Sequence, residues 1–463
     1  MTSEKFRYQL RQEAQKWQSE GLISSDIYEQ LAIRYQLEEL DLAARDLFII
    51  IILGIGSVLL GLGVITFVAA NWQVWSRPIK VILLLSLLIG TNYAGFYLWR
   101  SPDHGKSGLG QGLLLLGALS LGANIGLMSQ MFHQTGSVYT LYFVWGLGVW
   151  GMAYSLRLTS LGFMAIILMA IAYCSGIYRI AVGFDQDLSL VLQQMSLIIA
   201  CLFIPLSSYC RSRWIFSLSI ILIVFSLGIN IGHYLSFADL ADFSFIRALL
   251  FILIPGWLWS YRHNLLFSNA KANFDVINRR LAVLYLGSFL YLGSFNSWLE
   301  NSESSPTGKL IDFTTWLWLI APTIFMLFSI WAWIQLGVRK TEGLSWRLDR
   351  NSTYFGIALL IVFSLGWLHQ AINPLGILGA IISNVLLSLL ALVLIKQSIK
   401  EGRRFNFWLG ILLVILQIFS RMFEYNTGLI LKAIALFICG IAAILAGLWF
   451  ERNLNHQNLN SQD

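Results

Sequence analysis

Charge is scarce in this sequence. Asp, Glu, Lys and Arg make up 12% of its 463 residues, against roughly 25% in a soluble domain whose whole surface meets water. That shortage excludes an ordinary water-soluble globule. Cysteine is sparse as well: Cys174, Cys201, Cys210 and Cys439 are the whole complement. None stands at metal-ligand spacing and none falls in an expected outer loop, so neither a disulfide framework nor a zinc site is expected, and all four read as small buried hydrophobes.

Reactive motifs are missing too. No P-loop is present, and no G-x-S-x-G, H-E-x-x-H or C-x-x-C occurs, so ATP hydrolysis, a nucleophile elbow, a zincin site and a thiol redox pair drop out. No acidic residue lies within the apolar runs drawn below, which leaves a pump built on a central carboxylate without support. The first outer loop, Asn71 to Lys80, has no carboxylate, which argues against a lipid-linked sugar transferase. No cleavable signal is recognised: the first apolar run begins near Leu47, after a charged amphipathic segment, and is expected to act as an uncleaved anchor. An enzyme is therefore the least favoured class, and no cofactor or metal is expected.

What the sequence has is apolar length. Hydrophobic residues reach 57% and the mean hydropathy is +0.69, gathered into runs of roughly 17 to 25 residues, each enough to cross a hydrocarbon core about 30 Å thick. About fourteen spanning helices are expected. The first seven are Leu47–Ala70, Val81–Trp99, Gly112–Phe132, Val138–Leu156, Leu161–Tyr178, Leu188–Leu206 and Trp214–Leu235. The others are Phe243–Tyr261, Leu281–Leu299, Thr315–Leu336, Thr353–His369, Leu375–Ile395, Phe405–Ser420 and Leu429–Phe450.

The distribution of the 31 Lys and Arg residues orients them. Roughly 24 fall in segments that share one side and the rest in the alternate loops, as the positive-inside rule requires for cytoplasmic N- and C-termini. The net charge of +7 is thus a topology signal and a contact with anionic lipid; nucleic-acid binding is not expected. The expected location is a bacterial cytoplasmic (inner) membrane, crossed many times.

Residues 1–46 are the largest piece outside the runs, with nine acidic and six basic residues. Phe6, Leu10, Ala14 and Trp17 recur at helical spacing, Gly21 punctuates them, and Ser24, Ser25 and Asp26 offer N-caps to a second stripe of Ile27, Leu31 and Tyr35. The expected architecture is an all-α membrane bundle divided into a cytosolic helical hairpin (1–46), four spanning helices (47–156), ten more (157–450) and a cytosolic tail (451–463). A hairpin that small needs a partner, either the bundle or another protein.

Within the runs, Gly117, Gly122 and Gly126 with Ala118 predict a small-residue face for a close neighbour. Pro205, Pro255 and Pro322 predict kinks. Gly108, Gly110 and Gly112 imitate part of a nucleotide loop, but no strand precedes them, so that match carries no weight.

Three sets of polar residues are candidates for function. Asn71, Trp72, Gln130, His133, His233 and His369 all fall at outer helix ends, where they would line a funnel for a polar ligand, a metal or protons; ordinary interfacial placement, where water is at hand, is the preferred explanation. Asn92 and Asn124 lie near mid-depth, where a structural hydrogen bond between their adjacent helices is preferred to a substrate contact. Arg421, Glu424 and Lys432 flank the last outer turn, and the first two stand at i, i+3 spacing, so they form either a closing ion pair or an anion-binding or gating cluster.

Three stretches carry a family resemblance: Trp17-x-x-x-Gly21-Leu22-Ile23-Ser24; Gly61-Leu62-Gly63-Val64 through Ala69-Ala70-Asn71-Trp72; and Ser129-Gln130-Met131-Phe132-His133-Gln134-x-Gly136, followed by Trp145. With them, the first 155 or so residues resemble the bacterial membrane proteins grouped as domain of unknown function 2157. The closing segment from Arg421 through Gly440 is similar to the end of longer members. The resemblance implies a multi-spanning bacterial membrane protein and supplies no activity. Where that family tends to have tyrosine and glutamine, this chain has Phe132 and His133, so the resemblance assigns no role to a tyrosine hydroxyl there. Transport or flipping of a small or lipidic solute is slightly preferred to a membrane scaffold or sensor. An outer-leaflet enzyme with His133 or His233 as base comes third.

Overall fold

The computed structural model describes residues 4–35, 75–102, 104–133, 136–181, 190–237, 244–263, 274–295, 317–339, 345–346, 348–371, 376–402, 404–424 and 428–459, with isolated helical positions between 52 and 70. Most of the first apolar run and Asn71 and Trp72 lie outside the described residues. The chain divides into two compact units, Met1–Val182 and Gly183–Asp463.

The first unit opens with two short helices, α1 (Glu4–Ser19) and α2 (Ser25–Tyr35), which touch each other. Gly21 turns the chain between them at φ +74°, a conformation that costs a side-chain-bearing residue about 1 kcal/mol or more. Ser24 caps α2, its Oγ accepting from the Ile27 N–H at 3.4 Å.

Four longer helices follow: α3 (Arg77–Trp99), α4 (His104–Met131), α5 (Val138–Leu156) and α6 (Thr159–Ala181). α3 starts after an extended Ser76 with a proline in its first turn, where the missing N–H is not needed. α5 ends on Arg157 in the left-handed region (φ 56°). The main packing pairs are α3 with α4 and α5 with α6.

The expected small-residue face of α4 is real, and it begins earlier than the sequence indicated. α4 starts at His104, eight residues before the expected Gly112. A Cβ on Gly110 would collide with the backbone nitrogen and Cα of Trp99. Gly95 of α3 is equally tight, since a Cβ there would lie 2.9 Å from the Leu114 nitrogen. Further along, Gly117 seats the Asn92 amide, and Gly122 seats the Trp145 indole, whose Nε1–H donates to the Ala118 carbonyl at 2.7 Å. Without hydrophobic contrast between protein and lipid, such close approach is a principal source of helix association.

The second unit contains α7 (Leu190–Gln193), α8 (Met195–Tyr209), α9 (Arg213–Phe237), α10 (Ser244–Ser260), α11 (Asp275–Gly293) and α12 (Ile320–Gly337), then α13 (Arg350–Ala371), α14 (Gly376–Glu401), α15 (Arg404–Glu424) and α16 (Leu429–Leu459). α10 is its centre, packing on α9, α11, α12 and α13. Trp257 of α10 meets Phe325 edge-on at 4.8 Å, the Trp259 indole donates to Ser352 at 3.1 Å, and Trp333 donates to the Gly256 carbonyl at 3.0 Å.

Several differences from the expected runs have physical reasons. The run from Leu188 to Leu206 is broken at Gln194, which leaves helical geometry and donates its amide to the Leu317 carbonyl at 2.8 Å. Pro205 and Pro255 stand inside helices, whereas Pro322 falls in the first turn of α12, where it interrupts nothing. A two-residue antiparallel ladder, Val338–Arg339 with Ser345–Trp346, follows α12 and is the only strand pairing among the described residues. Cys174 and Cys201 are exposed, not buried; an apolar outer surface suits lipid, so burial is not required of them.

Nine helices among the described residues are long and apolar enough to cross a membrane. Of the other expected spans, α8 and α10 are shorter apolar helices. The architecture is that of a helical, multi-pass membrane protein.

Candidate functional site

The polar groups with the most organised surroundings lie on three helices of the second unit. α15 carries Gln417, Arg421 and Glu424 four and three residues apart, hence on one face. The sequence placed the end of this helix at Ser420; it continues to Glu424 and so brings both charged residues into helical register. Gly410, two turns before Gln417, sets the approach to α14, because a Cβ there would lie 2.7 Å from Ile395 Cγ1 and 3.0 Å from the Ala391 carbonyl.

Arg421 and Glu424 form an ion pair whose side chains are 18% and 14% exposed. The guanidinium does more than pair. Its Nη1 donates to the Ser294 carbonyl at 2.7 Å and its Nη2 to the Ser294 hydroxyl at 3.1 Å. The group also lies 4.5 Å from the centroid of the Phe295 ring. Ser294 caps α11, and its carbonyl is one of those the helix end leaves open. A fixed cation is thus shared between the end of α11 and its own helix.

From Ser294 the hydrogen bonds run on into the helices. Asn384 of α14 donates to the Ser294 carbonyl at 3.2 Å and to the Ala380 carbonyl at 2.8 Å. Gln417 donates to the Asn384 carbonyl at 2.9 Å and to its Oδ1 at 3.0 Å. Ser388 donates to Gln417 Oε1 at 3.1 Å and to the Asn384 carbonyl at 2.9 Å. The line from Gln417 to Glu424 rises seven residues along α15, about 10 Å. It ends in charge and begins in neutral amide and hydroxyl groups. The Arg421 Nε is buried without a hydrogen-bond partner.

The remaining candidates are placed differently. Each of the Asn92 and Asn124 amides donates to its own helix four residues back, Asn92 to Leu88 and Asn124 to Ser120, both at 2.8 Å, while the Asn92 amide packs on Gly117 of α4. Closing on the local carbonyl satisfies the donor without needing alignment of two helices. Gln130 and His133 are exposed at the end of α4, His133 with φ 50°, and belong to the first unit. In the second unit His233 lies one turn before the end of α9 and His369 in the last turn of α13. His233 is half-buried with its ring 4.0 Å from that of Trp318. Lys432 lies in the first turn of α16, its N–H donating to the Gly428 carbonyl at 3.2 Å. Among the described residues no three His, Cys, Asp or Glu groups gather as metal ligands.

Residues 15–162 match the model of a family described as Predicted membrane protein (DUF2157). The match agrees with the resemblance read from the N-terminal stretches. It ends in the first turn of α6, so the Ser388-to-Glu424 line lies wholly beyond it. No curated protein and no solved structure matches the chain.

A second polar cluster was missed by sequence reading. His263, after α10, is fully buried; its Nε2 meets Ser208 Oγ at 2.9 Å, its Nδ1 meets Tyr261 Oη at 3.1 Å, and its backbone N–H donates to the Asp275 carboxylate at 2.9 Å. Burial pushes the imidazole below its ordinary pKa, against the opposing pull of Asp275. Stacked Phe216 and Phe274 close over it, with ring centroids 4.4 Å apart. This arrangement ties together the start of α9, the end of α10 and the start of α11.

Proposed function

We propose that the protein passes a small polar solute, or the headgroup of a lipid, along the Ser388–Gln417–Asn384–Ser294 line, with the Arg421–Glu424 pair as its gate. The observation that carries this is the pair's attachment to the line: the guanidinium that binds Glu424 also binds the Ser294 carbonyl. The pair stands at the outer end of a candidate span, Arg404–Met422, and is mostly buried, and burying charge is costly enough that such groups mark candidate sites for a solute or ion. An anionic group arriving beside Arg421 competes with Glu424, which opens the pair without moving a helix. His233 and His369 are assigned to the outer side in this reading. The full chain has about fourteen spans, a cytosolic N-terminal helical hairpin and both termini on the cytoplasmic side of a bacterial inner membrane.

The test is flux in proteoliposomes over a panel of small solutes and fluorescent phospholipids. The unaltered protein is expected to move at least one of them, and Gln417→Leu to slow it while the protein stays folded. No movement across the panel overturns the proposal.

A second reading is favoured by one observation on α1 and α2. Leu22 between them is 69% exposed and Ile27 on α2 is 48% exposed, an apolar surface suited to a protein partner. In that scaffold or sensor reading, deleting residues 1 to 40 abolishes partner recovery or signalling; an unchanged phenotype rules it out.

A further inference from the structure

The contacts that hold Arg421 leave part of its guanidinium unused. The two terminal nitrogens grip Ser294 end-on, Nη1 at the carbonyl (2.7 Å) and Nη2 at the hydroxyl (3.1 Å). Glu424 lies against Nη1. The Phe295 ring crowds the group from another side, its centroid 4.5 Å from Cζ, and Tyr291 holds that ring edge-on at 5.4 Å. What remains is the side edge, where the Nε–H and the second hydrogen of Nη2 point the same way. Nε is closed off from solvent and has no hydrogen-bond partner.

A buried N–H on a cation is costly to leave without an acceptor. Two parallel N–H groups select an acceptor with two oxygens side by side, which a carboxylate or a phosphate has and a halide lacks. A neutral carbonyl lacks the charge that roughly doubles the strength of such bonds. Glu424 is the last residue of α15, and its carboxylate is the negative charge already at this guanidinium. Two anions on one cation repel, so an oxyanion at the side edge works against Glu424 at Nη1. Ser294 is fully buried at the end of α11 and keeps its end-on grip whichever anion is present.

We infer that the solute of the polar line is an oxyanion, a carboxylate or a phosphate, which sets two oxygens on the Nε–Nη2 edge of Arg421 as Glu424 is driven off. This rests on the passage proposed above and adds the charge and shape of what passes. Arg421 is then the specificity-determining residue. Exchanging one carboxylate for another oxyanion keeps the guanidinium neutralised throughout, so no buried charge is left bare while the pair opens. Lysine would serve an ion pair as a point charge; the side edge belongs to arginine alone.

The test places the full-length protein in uncharged maltoside micelles at neutral pH and follows acetate binding by saturation-transfer NMR on the acetate methyl protons. A saturable signal is expected, suppressed by inorganic phosphate and not by chloride at equal ionic strength. Arg421→Lys keeps a positive charge for Glu424 and loses the side edge, so acetate should bind about tenfold more weakly. Glu424→Gln keeps the shape and removes the competing charge, so acetate should bind about tenfold more tightly. Dihexanoyl phosphatidate used in place of phosphate separates two sources of the same chemistry. Displacement at lower concentration than phosphate assigns the edge to a lipid headgroup, and equal or weaker displacement assigns it to a soluble oxyanion. No saturable acetate signal from the unaltered protein overturns the inference, as does chloride that displaces acetate as well as phosphate does; neither measurement needs a variant to fold. Acetate binding that Arg421→Lys leaves intact overturns it too. Because the readout is binding, a protein that binds oxyanions and moves none loses the passage and keeps this edge, whereas one that moves solutes and binds no acetate does the reverse.

Discussion

The two units hold their helices together by different means. In the first, α3, α4 and α5 meet where side chains are missing: Gly95, Gly110, Gly117 and Gly122 each admit a backbone, an amide or an indole that a Cβ would obstruct. In the second, α11, α14 and α15 meet where polar side chains reach across, with Arg421, Asn384 and Gln417 bonding to groups on neighbouring helices. Shape specifies the first arrangement, whereas the second adds polar bonds between helices to the close approach at Gly410. Close glycine packing leaves little room for a solute, whereas a polar line has groups that exchange one partner for another. The family match covers the shape-specified helices through the start of α6, and the polar line lies outside it.

The strongest way to break this contrast is at Gly110. Gly110→Leu drives a side chain into the Trp99 backbone, which no rotamer avoids, and should cost about 3 kcal/mol or more. Amide exchange on the whole protein is expected to show protection lost from α3 and α4 and kept in α10 and α11. Equal loss in both units would show that the packing of the first is not its own.

Next in size is the ion pair. Arg421→Ala leaves Glu424 without its guanidinium and the Ser294 carbonyl without one donor, a cost of about 3 kcal/mol where burial is effective. Replacing Arg421 and Glu424 together by leucine should recover much of the stability, because no uncompensated charge remains. If stability returns and transport does not, the pair serves function more than folding; thermal unfolding alongside flux separates the two. If the double variant is no more stable than Arg421→Ala, the pairing is not what holds Arg421.

Gly122→Val should have a smaller effect, about 2 kcal/mol, because its neighbour is the Trp145 side chain and an indole gives way where a backbone does not. The expected sign in thermal unfolding is a loss, accompanied by a change in indole fluorescence as the bond to the Ala118 carbonyl is strained. A variant as damaging as Gly110→Leu would mean that the indole is as immobile as backbone.

Much of the fold was legible because spanning helices announce themselves by apolar length, and the α4 small-residue face because glycine at helical spacing has few other uses. Gly110 was passed over because the expected span began at Gly112, and only the crossing with α3 reveals its purpose. Of the polar line, Arg421 and Glu424 were visible from their spacing. Ser294, Asn384 and Gln417 were not: they come from three helices far apart in sequence, and periodicity does not say which helices face one another. The Asn92 and Asn124 amides were assigned partners on other helices because lipid makes an unbonded amide expensive. The sequence holds no signal that the local carbonyl four residues back will serve instead. The cysteines failed for a related reason, since a bilayer removes the contrast between inside and outside on which burial arguments rest.

The smallest expected effect is a pH dependence confined to the second unit. His263 is fully buried there, against Ser208, Tyr261 and Asp275, while His133 of the first unit is exposed. Burial lowers the His263 pKa, so below its ordinary value of about 6.5 the unfolded chain binds a proton that the folded chain refuses. The stabilising contribution is present above that pH and is lost as the pH falls towards the lowered folded value, at no more than about 1.4 kcal/mol per pH unit. Amide exchange between pH 7.5 and 5.5, corrected for the intrinsic rate, should show α9, α10 and α11 loosening on acidification, with α3 and α4 unchanged. His263→Gln keeps a polar group in place and should flatten the response. A slope that survives the substitution would assign the proton to another group and leave the second unit's cluster as packing alone.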